Sequence, residues 1–317
     1  MNSARPDADL RGVFALVLTP FAEDRSIDWN TYDRYVDRQI ELGAHGLFAS
    51  CGSSELKYLE WEERLALARR AVERAGTLPV VAVANAEPDV SSHHDELSRM
   101  ASTGVSGVVL IPPTGMGVDQ AKLQDYFAEM ADRSPVPVIL YEIPSSKPKD
   151  IAPETYGALA RDTAVRGIKD TSGTLAGSIA KMEAAPGGVL FQAVAPFLLE
   201  TIRAGGTGAM VIASTAACDL VLDLFGAAAG DTAAAAASHG RSKSAEDAQR
   251  LLTYLNAVLE LGYVATAKYL VSLRGVPMGL TCRSGSTLSP MAAKSVETIA
   301  AELSHRYPAA ATSPKET

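Results

Sequence analysis

Arg166-Gly167-Ile168-Lys169-Asp170-Thr171-Ser172-Gly173 is the stretch on which the fold turns. It predicts a short apolar strand, beginning at Val165, that ends on a lysine and runs into a Ser/Thr/Gly turn. A lysine at the mouth of an apolar strand is unusual, because an ammonium is costly to desolvate. Desolvation lowers a lysine's pKa, and a lowered pKa makes the amine nucleophilic. The plain alternative is a stem that snorkels to solvent at the strand end. The segments on either side of this stretch decide between the two.

Five apolar runs precede it, at 12–18, 46–50, 78–84, 107–111 and 136–141, and two follow, at 189–193 and 208–212. Helical spacing fills the gaps, at 28–42, 61–75, 89–102, 119–132, 153–160, 175–184 and 196–204. Strands apolar on both faces suit a parallel sheet covered by helices. Eight such strands alternating with helices predict an α/β fold, a (β/α)8 TIM barrel. A doubly wound open sheet is the runner-up, but no Gly-x-Gly-x-x-Gly follows the first strand. From about Thr215 the strands stop. The Ala-rich segment 226–239 and the segments 244–261 and 288–304 predict a C-terminal helical extension. The expected organisation is a flexible tail over 1–9, the barrel over 10–225, a helical region over 226–306 and a frayed tail over 307–317.

In a barrel of this kind the chemistry sits at the C-terminal ends of the strands. The strand period of two then matters. If Gly167 and Lys169 face inward, Ile168 and Asp170 face the helices, so Asp170 is not a direct partner of the amine.

Bulk properties narrow the function classes. The chain has 317 residues, 47% hydrophobic and 21% charged, enough to bury a sizeable core. A net charge of −8 argues against nucleic acid or an anionic membrane as main partner. Cys51, Cys218 and Cys282 are far apart and show no metal spacing, which suits reduced thiols in a cytoplasmic protein. No His-Glu-x-x-His pattern supports a zinc site. His93 and His94 lie in a polar helical stretch and are expected to be solvated. The N-terminus has no apolar signal core, and no run of about 18 apolar residues predicts a membrane span.

Further motifs now fall into order. Tyr141-Glu142-Ile143-Pro144 ends the fifth strand, and Cys51-Gly52-Ser53-Ser54-Glu55 follows the second. Gly43 and Gly46 flank the approach to that second strand. Leu59, Glu62, Glu63 and Arg64 open the next helix, and Gly205-Gly206-Thr207-Gly208 leads into the eighth strand. Together with Gly167-Ile168-Lys169-Asp170-Thr171-Ser172-Gly173, they resemble the dihydrodipicolinate synthase / N-acetylneuraminate lyase family of class I pyruvate-type aldolases. The resemblance covers nearly the whole chain. It implies that Lys169 forms a Schiff base with a 2-oxo acid and that Tyr141 is the proton shuttle. It implies that the backbone N–H groups of Gly52, Ser53 and Ser54 hold the substrate carboxylate. Met210 stands where the family has an apolar residue whose backbone lies beside bound pyruvate. No cofactor or metal is implied, because the imine is the electron sink. The implied partners are a small-molecule 2-oxo acid and an aldehyde, and the implied assembly is a homotetramer or dimer.

The sequence also departs from the family pattern. Cys51-Gly52 replaces Gly-Thr/Ser, so one relay hydroxyl is missing, and Ser54 replaces a Gly. Pro112-Pro113-Thr114 replaces Pro-Tyr-Tyr, which removes a phenol and leaves Thr114 as the candidate substrate contact there. Ser146, near Lys147 and Lys149, stands in place of a carboxylate-gripping Arg. Glu142 replaces an Asn. It is either a solvent or subunit contact, or a hydrogen-bond partner or acid toward a substrate hydroxyl. Ala193-Val194-Ala195 replaces Gly-x-Asp/Asn. These losses argue against the lysine-pathway reaction and for a different aldehyde. Three functions follow: a Schiff-base lyase/aldolase, a dehydratase of a 2-oxo-3-deoxy sugar acid by the same imine chemistry, or a non-catalytic 2-oxo acid binding protein.

Overall fold

The eight apolar runs pair in chain order into one closed parallel ring. The structure, a computed structural model, describes residues 9–143, 150–230 and 244–308. The strands are β1 (Gly12–Leu16), β2 (Gly46–Ala49), β3 (Val80–Val83), β4 (Gly107–Leu110), β5 (Val138–Tyr141), β6 (Val165–Asp170), β7 (Val189–Gln192) and β8 (Gly208–Ala209). The helices that follow them are α1 (Trp29–Glu41), α2 (Trp61–Ala75), α3 (His93–Ala101), α4 (Gln120–Asp132), α5 (Pro153–Asp162), α6 (Leu175–Ala184), α7 (Leu198–Arg203) and α8 (Cys218–Ala229). Three more, α9 (Ala245–Leu259), α10 (Ala265–Leu273) and α11 (Pro290–Arg306), form the C-terminal helical part. The fold is therefore the (β/α)8 TIM barrel with a C-terminal helical extension that the apolar pattern predicts.

Alternation along each strand separates two cores. Phe14, Leu16, Phe48, Val81, Val83, Val109, Ile139, Phe191 and Met210 fill the barrel interior. Their neighbours, such as Val13, Leu47, Ala82 and Ile168, face the helices in a second, larger core. The rings of Phe14 and Phe191 meet edge to face, with centroids 5.2 Å apart. Two glycines make room for them. A Cβ on Gly46 would lie 2.4 Å from the Phe14 ring, and one on Gly208 would lie 2.4 Å from that of Phe191.

Helix starts are set locally. Asp28, Asp119, Thr174, Ser244 and Ser289 each accept a backbone N–H from the first turn of their helix. Such caps contribute about 1 kcal/mol each. The last strand is shorter than its apolar run, because Ile212–Thr215 tightens into a 3-10 turn. Within that turn the Ser214 hydroxyl accepts the Leu16 N–H at 3.1 Å, so a side chain replaces a ladder partner of β1.

The C-terminal part departs from expectation in three places. Residues 226–229 of the Ala-rich segment belong to α8, which starts earlier, at Cys218, and is capped by Gly230; residues 231–239 lie outside the described residues. Helix α10 has no counterpart in the sequence reading. Tyr307, expected in the frayed tail, is buried and its hydroxyl donates to Asp223 Oδ2 at 2.7 Å. Arg274 ties the same region to α8 through a two-pronged pair with Asp219, at 2.9 and 2.6 Å. Of the tails expected at 1–9 and 307–317, residues 1–8 and 309–317 lie outside the described residues.

Candidate active site

Strands β5 and β6 pair with Tyr141 opposite Lys169, and Lys169 in turn stands opposite Phe191 on β7. Tyr141 is the last residue of β5 and Lys169 the last but one of β6, and the period of two that turns Ile139 inward turns both of them inward as well. The lysine is only 5% exposed. Its Nζ lies 3.9 Å from the centroid of the Tyr141 ring and 5.5 Å from that of Phe48. Two residues earlier on β6, a Cβ on Gly167 would come within 2.7 Å of the Val189 carbonyl oxygen. Only glycine lets β6 approach β7 that closely beneath the amine.

Among the described residues, three lysines are buried: Lys169, Lys181 and Lys268. Lys181 Nζ donates to Glu142 Oε1 at 2.5 Å and to Asp170 Oδ1 at 3.0 Å. Lys268 Nζ donates to Glu55 Oε1 at 2.9 Å and to the Thr281 carbonyl at 2.7 Å. Among the described residues, no carboxylate forms an ion pair with Lys169. Buried charges are ordinarily paired, so the lysine held among aromatic and aliphatic walls is the exception.

The loop after β2 forms the neighbouring wall. Gly52–Ser54 makes one 3-10 turn, flanked by Ser50 and Glu55 with left-handed backbone at φ 47° and 61°. Non-glycine residues hold that conformation only where the surroundings enforce it. Here the Ser54 hydroxyl donates to the Val17 carbonyl at 2.5 Å and accepts the Cys51 N–H at 3.0 Å. The Thr19 hydroxyl donates to the Ser54 carbonyl at 2.8 Å. The turn is thereby fastened to the end of β1. The expected set of three anion-binding N–H groups needs correction, because the Ser54 N–H is engaged with the Cys51 carbonyl at 3.0 Å. Gly52 is exposed at the start of the turn, with open space where a Cβ would stand. Met210 is fully buried in the barrel interior with Phe48 and Phe191. Thr114 sits on an exposed loop after β4. Pro144, Ser146, Lys147 and Lys149 lie outside the described residues.

Residues 9–306 match the model of the dihydrodipicolinate synthetase family. The chain belongs to this family. It is 29% identical over 279 residues to an N-acetylneuraminate lyase of Rhizobium meliloti, a match covering 85% of this chain and 87% of that protein. It is 34% identical over 159 residues to a probable 5-dehydro-4-deoxyglucarate dehydratase of Streptomyces coelicolor, covering 50% of this chain and 49% of that protein. The matches to the first three curated relatives span about half their length, 54%, 56% and 49%. The fold superposes on YagE of E. coli K12, a prophage protein of the dihydrodipicolinic acid synthase family solved with pyruvate. That match has a TM-score of 0.81 and 24% identity, covering 94% of this chain and 98% of that one. The family thus includes proteins named as lyases and dehydratases. Among the described residues, no cluster of three or more His, Cys, Asp or Glu is placed to hold a metal. Also among them, no helix is long and apolar enough to cross a membrane.

Two residues of this family member stand where the sequence did not put them. Glu142 follows the inward Tyr141 and therefore faces outward. It is 2% exposed, between β5, β6 and α6, and held by Lys181. It is thus neither a solvent contact nor turned toward the amine. Burial, with the neighbouring Asp170 carboxyl, pushes the Glu142 carboxyl up to about 7, against the pull of Lys181. Burial also acts to raise Asp170, but hydrogen bonding with Glu142, the Lys181 charge and the Ser178 hydroxyl outweigh it and hold that carboxyl well below the usual range. His93, expected in solvent, is buried, with Nδ1 at 2.7 Å from the Tyr126 hydroxyl and Nε2 at 2.8 Å from the Glu87 carbonyl. His94 stays part-exposed, 3.3 Å from Glu129.

A neighbour of the turn after β2 has no counterpart among the expected residues. Tyr263, between α9 and α10, donates its hydroxyl proton to Ser53 Oγ at 2.5 Å. No motif marks it. It lies one residue past Gly262, between the segments 244–261 and 288–304 that read as helical, where nothing signals a pocket.

Proposed function

We propose that this chain is a Schiff-base-forming lyase/aldolase that cleaves or forms the C3–C4 bond of a 2-oxo acid, with pyruvate and an aldehyde as the smaller partners. The observation that supports it most directly is that Lys169 is buried at the C-terminal end of the barrel strands, against the ring of Tyr141 and, among the described residues, without a carboxylate partner.

In this reading the neutral Lys169 amine adds to the C2 carbonyl of the 2-oxo acid. Loss of water from the carbinolamine gives a protonated imine. That cation accepts the electron pair of the breaking C3–C4 bond, leaving an enamine as the aldehyde departs. A proton returns to C3, and water then releases pyruvate and the free lysine. Tyr141 takes the proton of the C4 hydroxyl during cleavage and gives a proton to the leaving hydroxyl of the carbinolamine. The turn at Gly52 and Ser53 would receive the substrate carboxylate. Glu142, locked behind the strand, sets the surroundings of Tyr141 instead of touching substrate. The lost family residues in the loops favour an aldehyde other than the lysine-pathway partner, such as a sugar-acid fragment.

The relative from Streptomyces coelicolor, named as a dehydratase, supports a second reading, dehydration of a 2-oxo-3-deoxy sugar acid through the same imine. The products distinguish them: pyruvate plus aldehyde, or a dehydrated oxo acid. The common test is reduction with borohydride in the presence of pyruvate, followed by peptide mass mapping. The expected result is one pyruvyl adduct on Lys169, lost in Lys169→Ala. No adduct with any 2-oxo acid, or an adduct confined to another lysine, would remove the proposal.

A further inference from the structure

We infer that Tyr263 is a positioning residue of the site, supplied by the C-terminal part of the same chain, which fixes the Ser53 hydroxyl as a donor toward the carboxylate of the 2-oxo acid. The inference rests on the imine reading above and names the group that orients its substrate.

The argument begins with hydroxyl chemistry. A serine hydroxyl has one proton to donate and two lone pairs to accept with. The Tyr263 O–H fills one lone pair of Ser53 Oγ at 2.5 Å. Ser53's own proton is then directed elsewhere. Ser53 is only 4% exposed, so water is not the ready recipient. Its backbone cannot turn away, because Ser54 and Thr19 fasten the turn to β1. An undirected serine would spend part of its time accepting and part donating. One fed by a fixed phenol donates.

The phenol is itself fixed. The Gly262 carbonyl accepts the Ser286 hydroxyl at 2.9 Å, and the Ala265 N–H donates to the same hydroxyl oxygen at 3.3 Å. Glu55, two residues after Ser53, is held from the C-terminal side by Lys268 at 2.9 Å and by the Ser284 N–H at 2.7 Å. Both ends of the Tyr263–Ser53 contact are therefore clamped by the same segment. Burial raises the Tyr263 phenol far above its ordinary range, with Cys51 and Tyr141 near enough to add to that, against hydrogen bonds with Ser53 and Thr215. The hydroxyl stays protonated and acts as a donor across the working pH. The proximity of Tyr141 also puts the Tyr263–Ser53 contact beside the catalytic pair.

The test uses pyruvate as probe, so the unknown aldehyde is not needed. The pyruvate concentration giving half-maximal borohydride adduct is measured for the wild type, Tyr263→Phe, Ser53→Ala and the double variant, with thermal unfolding as a control. Tyr263→Phe keeps the ring. It should raise the half-saturating concentration about tenfold while leaving the adduct rate at saturation within about threefold. Ser53→Ala should do the same, and the double variant should be no worse than either single one, since both remove one interaction. A structural role alone would lower the unfolding midpoint without this split. A Tyr263→Phe value within twofold of wild type, or additive effects in the double variant, overturns the inference while the imine reading stands. Should Tyr263→Phe not fold, a Ser53→Ala half-saturation within twofold overturns it equally. Failure of the wild type to form any adduct overturns both.

Discussion

The Lys181 ammonium lies 2.5 Å from the Glu142 carboxylate, directly behind the strand ends that carry Tyr141 and Lys169. Each of these two residues is thus followed in sequence by a carboxylate of one buried cluster. Tyr141 is followed by Glu142 and Lys169 by Asp170, and Lys181 of α6 joins the two. Ser178 donates to Asp170 as well, at 2.5 Å, and Gln192 of β7 donates to Ser178 at 3.1 Å. The cluster pins three adjacent strand ends with charge-assisted hydrogen bonds.

Removing its cation should be costly. Lys181→Met leaves two carboxylates facing each other without a counter-charge, in a site where Lys181 is 3% exposed. Breaking a buried pair from one side costs about 3–5 kcal/mol. Urea unfolding should show a loss of that order, and a change below about 1 kcal/mol would show that the cluster is not what holds the strand ends.

The same cluster makes stability depend on pH with a predictable sign. Glu142 has its folded pKa raised from 4.5 to about 7, so between those values the folded state holds a proton that the unfolded state has released. Stability therefore falls as pH rises through that window. Asp170 acts in the opposite direction. Its folded pKa is below its ordinary 3.8, so its contribution is present above that value and is lost as pH falls below it. Denaturant midpoints measured from pH 3 to pH 8 should pass through a maximum near roughly pH 4–5. Glu142→Gln should flatten the fall on the neutral side.

Tyr141→Phe isolates the phenol from its ring. The ring contact under Lys169 survives, so folding and the position of the amine should be kept. Proton transfer by a placed side chain is worth about 10²–10⁴ in rate. The variant should lose at least about a hundredfold in turnover of a cleavable 2-oxo acid while still forming a reducible adduct, more slowly. Undiminished turnover would assign the shuttle to another group.

Inside the barrel, Gly208→Ala should destabilise by overpacking. The new methyl would meet the Phe191 ring at 2.4 Å, and that ring is packed edge to face with Phe14. Such insertions cost about 1–3 kcal/mol. Adding Phe191→Leu should recover part of the loss, and a thermal-unfolding comparison of the single and double variants checks it.

The fold was legible because the strands, apart from exposed Arg166 of β6 and half-buried Tyr141 of β5, are buried on both faces and read as apolar runs, a clear signal when repeated. That Tyr141 and Lys169 stand side by side was legible because each closes such a run in the sequence. Glu142 was misread although the necessary signal was present. The same alternation that turns Asp170 away from the amine turns Glu142 away once Tyr141 faces in. Its partner Lys181 was hidden, since a lysine on a helix looks solvated until the helix is docked. His93 was misread for the same reason. Helix α10 has buried Ala265, Thr266, Ala267, Lys268, Leu270 and Val271, so it lacks a polar face from which to read a helical period. Tyr263 meets Ser53 across 210 positions of sequence, a contact that only tertiary structure creates.

The clamp from the C-terminal segment onto Ser53 and Glu55 also orders events during synthesis. A chain emerging from the ribosome N-terminus first has all eight strands available once residue 209 is out. Tyr263, Lys268 and Ser284, which finish the loop after β2, are still unmade at that point. A nascent chain that already carries every strand of the ring therefore still lacks the residues that fasten Ser53 and Glu55.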